Sequence, residues 1–214
     1  MNELILNISN FEFLKIIPCY NINFQQVKLC TNLKIYFQNQ STLCIDTNEA
    51  GEIFRSLISH LEKAVDNKLQ LHESLTQNIG FMYNEYFDNR LESMMVYSED
   101  KSKKHWVMYD YKMWSGSTTD INNRITTWLY NDKDGNIILE MTKTYSWFYI
   151  QDSDIKRSDF VYYEDFIKDY KSLAYCIISQ EIATSWLKQA KKLLQIFAEN
   201  EKGCTKPIYY LKNE

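Results

Sequence analysis

Three histidines, five cysteines and scattered carboxylates are the residues of this 214-residue chain that could do chemistry. Their spacing argues against most of it. His72-Glu73 opens like a zinc-hydrolase helix, but that motif needs a second His four residues after the first, and Thr76 stands there. The cysteines fall at 19, 30, 44, 176 and 204 with no Cys-x-x-Cys pair, which fits no zinc framework. A cysteine nucleophile needs a base beside it. Cys19, Cys30 and Cys44 sit in apolar, strand-like surroundings and Cys176 lies between Tyr175 and Ile177. They read as core thiols kept reduced. Asp132-Lys-Asp134-Gly135 has Gly directly after the second acid, where a calcium loop would not, so it reads as a turn. With five glycines in the whole chain, no Gly-rich phosphate loop can be assembled. What remains for an enzyme is a pair of strand-borne carboxylates, and Asp110 with Glu140 on neighbouring strands are the candidates. No metal and no cofactor are expected.

The elements that must position these residues follow from hydrophobic periodicity. Strand-length apolar pieces run over 4–8, 11–17, 26–30, 33–37 and 42–45, with Pro18 and the Asn-rich stretches at 21–23 and 38–40 as turns. Asp46 with Glu49 forms a capping box, and Ile53, Phe54, Leu57, Ile58, Leu61 and Val65 keep the spacing of one buried helix face, predicting a helix over 46–66. His60 falls just off that face. Residues 74–90 read as a second helix capped by Ser74 with Gln77, although Gly80 and the density of aromatic residues also suit a strand. Period-two alternation then predicts strands over 91–98, 104–115, 124–130 and 136–143, the last two joined by a hairpin ending in Asp134-Gly135. Residues 163–178 and 180–199 read as helical, either as one long helix or as two joined near Ser179, stopped by Gly203. The expectation is one α+β domain over 1–214: an antiparallel sheet of N-terminal strands plus a central meander, packed by the helix at 46–66 and by C-terminal helices at 163–200.

Charge narrows the partners. The chain is acidic, with a net charge of −4. Its only notable basic cluster is Lys101, Lys103 and Lys104, so the basic stripe of a nucleic-acid binder is missing. No secretory leader is visible in residues 1–17, and no stretch approaches the ~18 consecutive apolar residues of a membrane helix, so a cytoplasmic protein with no membrane partner is expected. Residues 47–100 carry ten acidic and four basic side chains, and aromatic residues make up 15% of the chain. An acidic, aromatic surface attracts a basic protein and anchors it. The candidate partner-binding residues are therefore Glu85, Asp88, Glu92, Glu99 and Asp100, with Trp114, Trp128 and Tyr130 as aromatic anchors.

The stretch TTWLYNDKDGNIILEMTKTYSW (126–147), followed by YYEDFIKDYKSLAYCIISQEIATSWLKQAKKLLQIF (162–197), resembles the small immunity proteins of bacterial polymorphic-toxin and contact-dependent growth inhibition systems. The resemblance implies a cytoplasmic α+β protein, monomeric or homodimeric and without catalysis of its own, that neutralises a cognate toxin domain by direct binding. Two other readings stand beside it: a small cytosolic enzyme using the strand carboxylates, and an adaptor that homodimerises through an aromatic edge.

Overall fold

The structure, a computed structural model, describes residues 4–8, 13–23, 26–36, 42–47, 50–73, 75, 78–89, 108–117, 124–145, 163–168 and 170–203. Eight strands form one antiparallel sheet whose spatial order follows the chain. They are β1 (Leu4–Asn7), β2 (Phe13–Asn23), β3 (Gln26–Tyr36), β4 (Thr42–Thr47), β5 (Lys112–Ser117), β6 (Arg124–Asn131), β7 (Ile137–Thr144) and β8 (Ser172–Ile178). Helices α1 (Ala50–Val65) and α2 (Ile79–Asn89) separate β4 from β5. Helix α3 (Tyr163–Lys168) precedes β8, and α4 (Gln180–Gly203) follows it. The α+β class expected from the sequence is the one observed. The two halves of the sheet meet at a narrow seam, where β4 and β5 share the single register pair Asp46 and Ser117.

Directly opposed residues of an antiparallel pair share a face, so the registers sort the central sheet into two surfaces. Ile125, Thr127, Leu129 and Asn131 of β6 lie with Ile137, Leu139 and Met141 of β7 and with Trp114 of β5. This surface carries α1. Trp114 Nε1 donates to the Ile53 carbonyl at 3.2 Å, and Asn131 Nδ2 donates to that of Ala64 at 3.0 Å. Helix α4 lies beside α1, joined by the Lys191–Glu62 ion pair at 2.6 Å. Trp186 Nε1 reaches the Asn7 carbonyl at 3.0 Å, tying α4 to β1. The opposite surface carries Thr126, Trp128 and Tyr130 of β6 with Ile138, Glu140 and Thr142 of β7, and α2 covers it. Tyr83 packs edge-on to Trp128 with ring centroids 5.0 Å apart. Asn84 pins the helix to β7, its Nδ2 donating to the Lys143 carbonyl and its Oδ1 accepting from Tyr145 N–H.

Several sequence expectations are corrected. Pro18 lies inside β2, and residues 21–23 continue that strand. Among the described residues β1 pairs with β2 only as far as Leu4 opposite Ile16, so none of them needs, on that side, the N–H that proline lacks. The segments 26–30 and 33–37 merge into β3. Asp46 is not a helix cap: β4 runs through it to Thr47, and α1 begins at Ala50. The second helix is shorter than 74–90, because Asn78 rather than Ser74 caps it, with Oδ1 accepting from Phe81 N–H at 3.0 Å. Met108–Asp110 form a helical turn, so β5 starts only at Lys112. The largest correction lies at 163–178. Only Tyr163–Lys168 is helical, and Ser172–Ile178 is a strand paired with β7. The strand expected at 91–98 lies outside the described residues.

Candidate functional site

Two places on the α2 side of the sheet invite a functional reading, and one row of side chains connects them. Lys112 faces Trp128, Trp128 faces Glu140, and Glu140 faces Tyr175 across β5, β6, β7 and β8. The row runs from a half-buried amine through a buried carboxylate to an exposed phenol.

Glu140 is fully buried. Its Oε1 accepts from Asn78 Nδ2 and from Ser172 Oγ, and its Oε2 accepts from Tyr130 OH at 2.8 Å. Asn78 thus caps α2 with its oxygen and binds the carboxylate with its nitrogen. Burial, with the carboxylate next in effect, pushes the Tyr130 phenol far above its ordinary range, so it remains a donor. Beside this group, Trp128 Nε1 donates to Thr142 Oγ1 at 2.8 Å. No cation pairs with Glu140 among the described residues. Both carboxylate oxygens are occupied by donors from three segments, and Glu140 itself lies on a fourth, so the arrangement works as a polar clasp between α2, β6, β7 and β8. Asp110 is exposed in the turn before β5, and β6 lies between β5 and β7. The pairing of Asp110 with Glu140 on neighbouring strands is therefore corrected.

Lys112 Nζ donates to Tyr83 OH at 3.0 Å and lies 5.2 Å from the Tyr109 ring centroid. Burial holds its pKa below the usual lysine value. Among the described residues no three His, Cys, Asp or Glu side chains gather as a metal site would require.

The second place is the outer edge of the sheet. Along β8, burial alternates: Cys176 and Ile178 face the core, while Tyr175 is 54% exposed and Ile177 is 60% exposed. Both outward side chains extend buried rows, Tyr175 beyond Glu140 and Ile177 beyond Ile138. Nearby, the β6–β7 hairpin carries Asp132 and Asp134. Asp132 Oδ1 accepts from the N–H groups of Asp134 and Asn136, and Gly135 takes the positive φ of 82° that closes the turn. The side-chain and backbone bonds it accepts around Asn136 hold Asp132 below the usual carboxylate range.

The expected binding residues divide sharply. Glu85 is exposed on α2, and Asp88 lies on the same helix. Glu92, Glu99 and Asp100 lie outside the described residues. Trp114, Trp128 and Tyr130 are corrected: they are 4%, 0% and 6% exposed, Trp114 bonding α1, Trp128 packing on α2 and Tyr130 bonding Glu140, so none offers a surface to a partner. A helix over 163–178, as the spacing predicts, hides the strand alternation that turns Tyr175 and Ile177 outward. The available signal was Ser179, whose Oγ accepts from Ile182 N–H and whose carbonyl accepts from Ala183 N–H. A cap there separates SLAYCII from the helix that follows.

No protein-family model matches the chain, and no curated protein matches it either. Among the described residues, no helix is long and apolar enough to cross a membrane.

Proposed function

We propose that this protein is an immunity-type binding protein that neutralises a cognate toxin domain by direct contact in the bacterial cytoplasm, with β8 at the interface. The observation that carries the reading is the adjacent exposure of Tyr175 and Ile177 on an edge strand. Large apolar side chains presented together at a sheet edge suit a protein partner. Asp132 and Asp134 nearby favour a basic partner, such as a domain that handles nucleic acid. The buried aromatic residues keep the sheet rigid beneath this surface and take no part in contact. The resemblance of residues 126–147 and 162–197 to immunity proteins supports the same reading.

The enzyme reading has Glu140 as its one specific support, and the in-chain donors on both of its oxygens speak for a structural role. The test is protection of cells that express the toxin domain encoded by the adjacent gene, with binding measured by surface plasmon resonance. Protection is expected, together with at least a tenfold loss of affinity in Tyr175→Ala. Absence of binding at micromolar concentration, together with absence of protection, overturns the reading.

A further inference from the structure

Two of the five cysteines are brought level by the sheet. In the β2–β3 ladder Cys19 stands directly opposite Cys30. Among the described residues no other cysteine has a cysteine as its register partner: Cys44 opposes Lys34, and Cys176, a free thiol, opposes Leu139.

Pro18 decides which kind of pair this is. Opposed residues of an antiparallel ladder alternate between pairs that exchange both N–H···O bonds and pairs that exchange none. Pro18, opposite Thr31, has no N–H to exchange. Its pair is therefore of the second kind, and the next one, Cys19 with Cys30, is of the first. Cα atoms in such a pair lie about 5.5 Å apart. That falls within the roughly 4.4–6.8 Å that a disulfide spans, close to its commonest value. Opposed residues also share a face of the sheet. The Cβ atoms of such a pair stand toward the upper end of a range of roughly 4.5–5.5 Å, whereas a disulfide holds them about 3.8 Å apart. Closure therefore strains the ladder, and a strained disulfide is the more easily reduced.

We propose that Cys19 and Cys30 form a reversible cross-strand disulfide, open as a dithiol in a reducing compartment and closed by a small-molecule disulfide where conditions are oxidising. The thiolate of one cysteine attacks the small disulfide, expels one thiol and forms a mixed disulfide. The second thiolate attacks the protein sulfur of that mixed disulfide and expels the other thiol. The protein gives up two protons and two electrons, and the small disulfide takes them up as two thiols. The reduced thiols expected from the sequence are then one of two states. Strands β4 to β7 lie between this pair and β8, so the couple is independent of toxin neutralisation.

The experiment equilibrates the folded chain with oxidised glutathione, quenches with acid, blocks free thiols with iodoacetamide in denaturant and reads tryptic peptides by mass spectrometry. Lys15, Lys28 and Lys34 place the two cysteines in separate peptides, 16–28 and 29–34. The two peptides are expected to appear linked, and to separate again when the folded chain is returned to excess reduced glutathione. Neither is expected to join Cys44, Cys176 or Cys204. Nearness in sequence alone would also favour a link, so the register is tested by moving one thiol a single position. Cys30→Ser with Leu29→Cys, and Cys30→Ser with Thr31→Cys, each put the new thiol on the opposite face from Cys19. In folded chains, checked by circular dichroism, both displaced pairs are expected to close at least tenfold more slowly than wild type; in urea all three should close at rates within about threefold. Absence of the linked peptides in wild type, a link that excess reduced glutathione leaves intact, or preferential joining to another cysteine overturns the inference without any variant. Closure of a folded displaced pair as fast as wild type overturns it as well.

Discussion

Leu57 is fully buried on α1 among Ile53, Phe54 and Leu61, and its truncation leaves a cavity in the layer between helix and sheet. Leu57→Ala is expected to cost ~2–5 kcal/mol in a denaturant titration, and a loss below about half a kilocalorie would show that the layer collapses around it. Polar burial works by a different rule. Tyr130→Phe removes the sole donor to Glu140 Oε2 among the described residues, leaving a buried carboxylate oxygen bare. A loss of ~1–3 kcal/mol is expected, because desolvation is no longer offset. His60 adds a pH dependence. Its Nδ1 lies 2.8 Å from the Ser56 carbonyl, and its Nε2 is buried without a hydrogen-bond partner. Burial chiefly lowers its pKa below 6.5, with the Ser56 bond, Asp110 and the Lys112 backbone opposing and Lys63 adding to the shift. The neutral ring therefore belongs to the fold. Its stability contribution is complete above pH 6.5, the unfolded value, and is lost as the pH falls from there through the lower folded value. Thermal melts from pH 8 to pH 5 should show a steeper decline for wild type than for His60→Gln. Parallel curves would show that the ring titrates alike in the folded and unfolded chain and would refute the lowered pKa.

At the scale of elements, helix α2 approaches β7 closely because residue 80 is glycine. A Cβ there would collide with the Thr142 side chain and with the Tyr170 hydroxyl. Glycine to alanine in an exposed helix gains ~1 kcal/mol from propensity. At Gly80 the sign should reverse, with Gly80→Ala losing ~1–3 kcal/mol by overpacking. A higher melting temperature in that variant would refute the close docking. This contact also marks where the sequence stops being legible. The α+β class, the core of α1 and the β6–β7 hairpin were readable, because each is written in local periodicity and turn chemistry. The strand β8 was not, since Leu173, Ala174, Ile177 and Ile178 satisfy a helical spacing as well as a strand run, and only pairing with β7 decides between them. Trp128 and Tyr130 look identical in sequence whether they line a rim or a core. Their burial depends on α2 folding back over β6, a long-range choice fixed by Asn78, Gly80 and Asn84. The outward pair Tyr175 and Ile177 was hidden for the same reason as β8 itself.

At the scale of the whole molecule, charge and apolar surface divide the work of binding. The net charge of −4 is spread over helices and hairpins, with Glu85 exposed on α2 and Asp134 exposed at the β6–β7 turn. Such charges act at a distance and speed the arrival of a basic partner, whereas desolvated apolar anchors govern how long it stays. If β8 supplies the anchors, the two kinds of substitution should separate in kinetics. Glu85→Lys with Asp134→Lys should slow association with the toxin domain several-fold and leave dissociation nearly unchanged. Asp132 is excluded from this pair because it holds the turn together. Tyr175→Ala should instead speed dissociation. Raising salt from 0.1 M to 1 M shortens the Debye length from ~10 Å to ~3 Å, so the wild-type on-rate should fall toward that of the double reversal, whose own rate should respond far less. Surface plasmon resonance across that salt range measures both rates. An on-rate independent of salt and of the reversals would remove steering from the mechanism and leave the apolar edge as the sole basis of recognition. An off-rate unmoved by Tyr175→Ala would place the anchors somewhere other than β8.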